Sequence, residues 1–276
     1  LGPNGCGKTT SIMCILSLLK YDSGNIEVFG KKDIQNEYDI KRKIGIVPQE
    51  LAVFENLNVR ENIDYFCGLY VQNKNERKRL VNEAIEFTGL QSHEKMLQKK
   101  LSGGLKRRLN IACGISHKPE LVILDEPTVA VDAQSRKFIL DGIKNLADNG
   151  ASILYTTHYL DEAEYLCNKI SIMDNGKNIL TGDMQTLING VSVKEKITVV
   201  GYIKPEIISI LENQDDVVDV EVKENQVTLN YSNDVGNIKR LIHLLDDNNV
   251  VYEEIFSKKP KLEDIFLEMT GKELRE

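Results

Sequence analysis

No stretch of this chain approaches the roughly 18 uninterrupted apolar residues that a membrane-spanning helix needs, so any membrane it serves is crossed by another polypeptide. No C-x-x-C pair is present. The five cysteines, Cys6, Cys14, Cys67, Cys113 and Cys167, are scattered and odd in number, which fits reduced cytosolic thiols rather than a disulfide framework or a zinc site. A basic excess is missing too: the formal charge of −7 argues against nucleic acid as a partner. Low-complexity tracts and heptad runs are absent, and prolines number only six. There is also no initiator Met and no signal peptide, and the first residues already lie in a functional loop, so the sequence reads as an amino-terminally truncated fragment.

What is present is ordinary globular composition. The 276 residues are 41% hydrophobic and 28% charged, enough for one large domain and a small one. Residues 9–19 carry Ile12, Met13, Ile15, Leu16 and Leu19 at helical spacing. Ile26 and Val28 alternate as a short strand after Ser23-Gly24, and Ile44, Ile46 and Val47 form a second strand ended by Pro48. From about 54 to 117 the pattern is mostly helical. Leu121–Leu124 is a continuous apolar run, as in a strand buried on both faces. A helix near 134–148 and a strand at 153–155 follow, and this alternation predicts an α/β domain with a mainly parallel sheet. Asn175-Gly176 between apolar runs predicts a hairpin.

The character changes after about residue 190. Strands at 193–200, 217–223, 226–231 and 250–256 and helices at 205–213 and 234–247 give the order β-α-β-β-α-β, a small α+β ferredoxin-like module. A last amphipathic helix carries Leu262, Ile265, Phe266 and Met269. The expected division is a large α/β domain over 1–188, with its helical subdomain at about 54–117, and an accessory domain over 189–276.

Gly2-Pro3-Asn4-Gly5-Cys6-Gly7-Lys8-Thr9 satisfies G-x-x-x-x-G-K-[ST] in full, and Thr10 continues it into the helix. Glycines let successive N–H groups face phosphate oxygens, and the helix aims its positive end at the same point. Lys8 reaches the β- and γ-phosphates of a nucleotide, and the Thr9 hydroxyl is a magnesium ligand candidate. Asp125-Glu126 closes the buried strand on the sheet edge where α/β folds bind ligands. Asp125 is a second metal candidate, and Glu126 is placed to polarise the attacking water. Cys6, near a helix N-terminus and beside Lys8, is either a reactive thiol or simply a small residue that fits.

Leu101-Ser102-Gly103-Gly104-Leu105-Lys106-Arg107-Arg108-Leu109 opens another helix before Asp125, with Ser102 as its N-cap. This segment resembles the signature of the ATP-binding-cassette (ABC) family, and residues 1–182 are similar to that family motif by motif. The resemblance implies that Ser102, Gly103 and Gly104 meet the γ-phosphate held by a second subunit, so that ATP with Mg2+ is sandwiched in a homodimer or heterodimer. Gln49 resembles the loop glutamine that approaches magnesium and the attacking water. Asp132, in Val129-Ala130-Val131-Asp132, resembles the acid of the loop that crosses the dimer interface. His158, after Tyr155-Thr156-Thr157, matches the switch histidine that contacts the γ-phosphate. Leu105 departs from the glutamine that many members carry, a change that drug- and antibiotic-export subfamilies often tolerate.

The ending Pro260–Gly271 is similar to the tail of exporters for drugs, antibiotics, lipids and polysaccharides. The family therefore implies an Mg2+-dependent ATPase at the cytoplasmic face of the cell membrane, driving a transmembrane permease subunit. The alternative is a soluble ABC ATPase acting on ribosomes or DNA; one cassette, without heptads or cysteine pairs, speaks against it. The resemblance also places a strand, a small antiparallel sheet and an adenine-stacking aromatic ahead of Leu1, and without them weak ATP affinity, poor solubility and an inactive fragment are expected.

Overall fold

The computed structural model describes residues 1–32 and 34–271. They form two compact units, Leu1–Cys167 and Asn168–Glu276. In the first, α1 (Lys8–Ile15) is followed by a small hairpin of β1 (Glu27–Val28) and β2 (Lys31–Lys32), then α2 (Tyr38–Lys41) and β3 (Ile44–Val47). Next come α3 (Val59–Gly68), α4 (Lys74–Phe87), α5 (Gly103–Ile115), β4 (Leu121–Asp125), α6 (Ala133–Asp148), β5 (Ser152–Thr156) and α7 (Leu160–Leu166).

Strands β3, β4 and β5 make a parallel sheet with β4 in the middle. The period of two along β4 decides what covers it. Val122 and Leu124 pack with Val47, Ile111, Ile139 and Ile143, while Ile123 faces Ile12, Leu16, Ile40 and Ile44. The sheet is thus covered on both sides, as the unbroken apolar run predicts. Parallel strands end on one edge, so the segments after Val47, Leu124 and Tyr155 share that edge with the N-terminus of α1.

Helix α5 joins two cores. Leu109, Ala112 and Cys113 pack with α3 and α4, whereas Ile111 and Ile115 pack on the sheet. Its backbone lies hard against β3, because Gly45 and Gly114 face each other there. A Cβ on Gly114 would sit 2.6 Å from the Ile46 carbonyl oxygen.

The second unit opens with the hairpin β6 (Ile170–Asp174) and β7 (Lys177–Gly182) and then α8 (Met184–Asn189). Asn175 (φ 47°) and Gly176 (φ 76°) are both left-handed, as a two-residue hairpin turn requires. The chain continues through β8 (Glu195–Val200), α9 (Pro205–Glu212), β9 (Val217–Lys223), β10 (Gln226–Tyr231), α10 (Asn237–Asp247), β11 (Glu254–Lys258) and α11 (Leu262–Thr270). The sheet is antiparallel throughout, in the order β11-β8-β10-β9. Ile197, Val199, Leu211, Val227, Leu229, Leu241 and Leu245 form its core.

Several details differ from the sequence reading, among them the end of α1, at Ile15 rather than 19, and the start of β8, at Glu195 rather than 193. The division between units falls at Cys167/Asn168, upstream of residue 188, and α8 packs on α11. Strand β11 starts at Glu254 rather than 250. Left-handed Asn249 (φ 51°) ends α10, and the Val250 N–H still closes that turn on the Leu245 carbonyl at 2.9 Å. The short helices α2, α7 and α8 are additional, each spanning too few residues to show a period.

Two glycine substitutions should separate close packing from helix propensity. Gly114→Ala is expected to cost about 2 kcal/mol or more, since backbone cannot move aside as a side chain can. Gly142, inside α6, has only the Phe87 ring at 3.5 Å from an added Cβ. Gly142→Ala is expected to stabilise by up to about 1 kcal/mol. Urea denaturation of both variants reads this directly, and equal effects would refute the close-approach account.

Candidate functional site

The loop before α1 turns through left-handed Gly5 (φ 79°) and Gly7 (φ 103°), conformations that cost a residue with a Cβ. The turn brings the Lys8 side chain back beneath the loop. Its Nζ donates to the carbonyls of Gly2 (2.7 Å) and Pro3 (3.0 Å) and pairs with Glu126 Oε1 at 3.1 Å. Lys8 is buried, whereas Asn4, Gly5, Thr9 and Thr10 are exposed on the rim. Cys6 is only 2% exposed, so the reading as a small residue that fits is the one its burial supports.

Asp125 ends β4 between two hydroxyls. Thr9 Oγ1 donates to Oδ2 at 2.7 Å and Thr156 Oγ1 to Oδ1 at 2.5 Å, so α1, β4 and β5 meet on one carboxylate. The next residue, Glu126, adopts a left-handed backbone (φ 45°) and is held there by its N–H, which donates to the Thr156 carbonyl and hydroxyl at 3.2 and 3.1 Å. That conformation is uncommon for a residue with a side chain. It turns the Glu126 carboxylate toward Lys8 on one oxygen and toward Gln49 Nε2 (3.0 Å) and His158 Nδ1 (3.5 Å) on the other. Lys8, Thr9, Gln49, Asp125, Glu126 and His158 therefore converge on one spot at the sheet edge. Both carboxylates are 5% exposed.

Ser102, Gly103, Gly104 and Asp132 form a second group. Ser102 caps α5, accepting the Leu105 N–H at 3.4 Å, and Asp132 caps α6, accepting the Ser135 N–H at 2.9 Å. That N–H, with the Ser135 hydroxyl, holds the Asp132 carboxyl below the usual aspartate range. A Cβ on Gly104 would meet Ser135 Oγ at 2.5 Å, so the first turns of α5 and α6 lie against each other. Gly103, by contrast, is open to solvent.

Several contributors escape sequence reasoning. Arg107 Nη1 donates to the Gln49 carbonyl at 2.7 Å, and Asn110 binds both the Pro48 carbonyl (3.2 Å) and the Ala52 N–H (3.0 Å). Helix α5 thus clamps the Gln49 loop from behind. Their i, i+3 spacing on a helix is the only sequence signal, and it is shared with any amphipathic helix. Thr156, in the run leading to His158, likewise carries no motif of its own.

A family model described as ABC transporter matches residues 1–129. The linearmycin resistance ATP-binding protein LnrL of Bacillus subtilis (strain 168) is 38% identical over 282 residues, covering 100% of this chain and 90% of that protein. The daunorubicin resistance ATP-binding protein DrrA3 of Streptomyces coeruleorubidus is 28% identical, covering 100% of this chain and 87% of that protein. A solved ATP-binding subunit of an ABC transporter superimposes with a TM-score of 0.62 at 25% identity, over 69% of this chain and 79% of that one. The chain belongs to the ABC transporter family of ATP-binding proteins. It is a transport-associated ABC ATPase that binds ATP, and the ribosome- or DNA-acting alternative is disfavoured. Among the described residues no helix is long and apolar enough to cross a membrane.

The clamp on the Gln49 loop is testable. Asn110→Ala should speed amide exchange at Ala52 by about tenfold or more, consistent with the ~1–3 kcal/mol cost of an unpaired buried polar group. An unchanged exchange rate at Ala52 would mean that the loop is held by other contacts.

Proposed function

We propose that this chain binds Mg-ATP on Gly2–Thr10 and hydrolyses it with Glu126 as the base that polarises the attacking water. The observation that carries the reading is the Glu126 carboxylate, set in a left-handed backbone turn between Lys8, Gln49 and His158. Lys8 neutralises charge on the β- and γ-phosphates, and His158 and Gln49 orient the γ-phosphate and the water. The Thr9 hydroxyl and the Asp125 carboxylate are hard oxygen donors already 2.7 Å apart, a set that fits Mg2+ shared with phosphate oxygens. Thr9 and Asp125 would hold the ion, with Gln49 beside them; when bound it supplies charge neutralisation at the phosphates.

Ser102, Gly103 and Gly104, with Asp132, serve the nucleotide of a second ATP-binding subunit, identical or homologous, in a head-to-tail dimer. The open Gly103 and the exposed Ser102 at a helix N-terminus support this. The work goes to a separate transmembrane subunit, with this chain bound peripherally at the cytoplasmic face. Its docking surface includes the neighbourhood of Gln49, where Leu51, Phe54 and Tyr65 are exposed and the rings of Phe54 and Tyr65 meet edge-on at 5.0 Å. The drug resistance for which LnrL and DrrA3 are named supports export of a drug, antibiotic, lipid or similar cargo. We assign nucleotide chemistry to the first unit and an accessory role to the second.

The decisive substitution is Glu126→Gln, which keeps shape and removes the base. ATP binding should be retained while turnover falls by about 10² or more. Lys8→Ala should instead weaken ATP binding. Turnover near that of the unaltered protein in Glu126→Gln would rule out Glu126 as the base.

A further inference from the structure

Behind the site lies a buried polar network centred on one acceptor. Glu162, in the first turn of α7, is 0% exposed. Its Oε1 accepts from Thr128 Oγ1 (2.6 Å) and Arg136 Nε (2.7 Å), and its Oε2 from Thr157 Oγ1 (2.7 Å) and Tyr155 OH (2.8 Å). A carboxylate offers about four lone-pair positions, so the group is saturated. Burial, and then the Glu162 charge, push the Tyr155 phenol above its ordinary range, which keeps it a donor.

The donors come from the segments that carry the site. Thr128 stands two residues beyond Glu126, in the loop that leads to Asp132. Arg136 is in the first turn of α6, and its own N–H binds the Asp132 carbonyl at 2.8 Å. Thr157 precedes His158, and its hydroxyl oxygen also accepts the Tyr159 N–H at 2.9 Å, so the backbone is tied on both sides of the histidine. Arg136 closes the circle by laying its guanidinium 4.3 Å from the centre of the Tyr159 ring. Moving any one of these segments alone would take a donor from a fully buried carboxylate, a costlier event than breaking a surface contact.

We infer that Glu162 is a positioning residue for ATP hydrolysis. Through Thr157 and Thr128 it fixes His158 relative to Glu126, and through Arg136 it ties both to the Asp132 loop, so that the three segments shift as one body. This rests on the proposed roles of Glu126 and His158 in hydrolysis. A carboxylate that merely stabilised the fold would need no donors from these particular loops.

The test is a kinetic cycle on the full chain with Mg-ATP, using Glu162→Gln, Thr157→Val, His158→Ala and the two double variants with His158→Ala. Asp216→Asn, which breaks an ion pair with Arg240 in the second unit, serves as a control for simple loss of a charge pair. Glu162→Gln and Thr157→Val should keep ATP affinity within about threefold and lower kcat by about tenfold or more. In the His158→Ala background the further loss should shrink to within about threefold, because residues that act as a unit are not additive. Asp216→Asn should leave kcat unchanged. Should Glu162→Gln fail to fold, Thr157→Val and its double variant decide alone, since three of the four hydrogen bonds remain. Normal kcat in the Glu162 and Thr157 variants, or losses that multiply in the double variants, would overturn the positioning role. Normal kcat in His158→Ala alone would instead overturn the site assignment on which it rests.

Discussion

Asp125 and Thr156 share the last rung of the β4–β5 ladder, and the arrangement of the site follows from that register. With Leu121 opposite Ser152 and Asp125 opposite Thr156, the Thr156 hydroxyl reaches Asp125 while its carbonyl receives the Glu126 N–H. A slip of one residue would exchange the faces of β5, turning Thr156 away from Asp125 and the core side chains toward the wrong layer. The register is protected by burial on both sides of β4, so the same apolar contacts that stabilise the sheet also aim the two carboxylates.

Around that rung the charges are arranged to satisfy one another. Lys8 directs its three N–H donors to two carbonyls and Glu126, and Glu126 divides its two oxygens between Lys8 on one side and Gln49 and His158 on the other. Buried ions survive only when paired and hydrogen-bonded. A further buried carboxylate, Glu162, obeys the same rule with neutral hydroxyls and one guanidinium. The site therefore has two polar layers, one facing the loop of α1 and one behind it.

Much of this is legible in the sequence. The phosphate loop, the apolar run into Asp125-Glu126 and the hairpin at Asn175-Gly176 each depend on contiguous residues, and local chemistry specifies them. The C-terminal unit is readable because the apolar residues of β9 and β10 alternate on either side of Glu224-Asn225, although the start of β11 is hidden by the capping turn of α10. What the sequence conceals is contact at long range. Glu162 lies in an acidic stretch, Asp161-Glu162-Ala163-Glu164, that reads as a solvated face, and α7 is too short for its burial to show as periodicity. Arg107 and Asn110 sit in a helix whose signature residues draw the eye to its N-terminus, while their partners, Pro48, Gln49 and Ala52, lie far away in the chain. The left-handed backbone at Glu126 has no sequence signal at all, since glutamate is not a residue type that favours it.

The pairing of Gly45 with Gly114 bears on how motion can pass through the first unit. Where these two glycines meet, backbone lies on backbone, and neither element can slide along the other there without collision. A tilt imposed on α5 at its Ser102 end would carry the strand with it. The Gln49 loop, held by Arg107 and Asn110 on the same helix, would travel in step. Helix, strand and loop are then a single lever whose fulcrum is a pair of missing methyl groups.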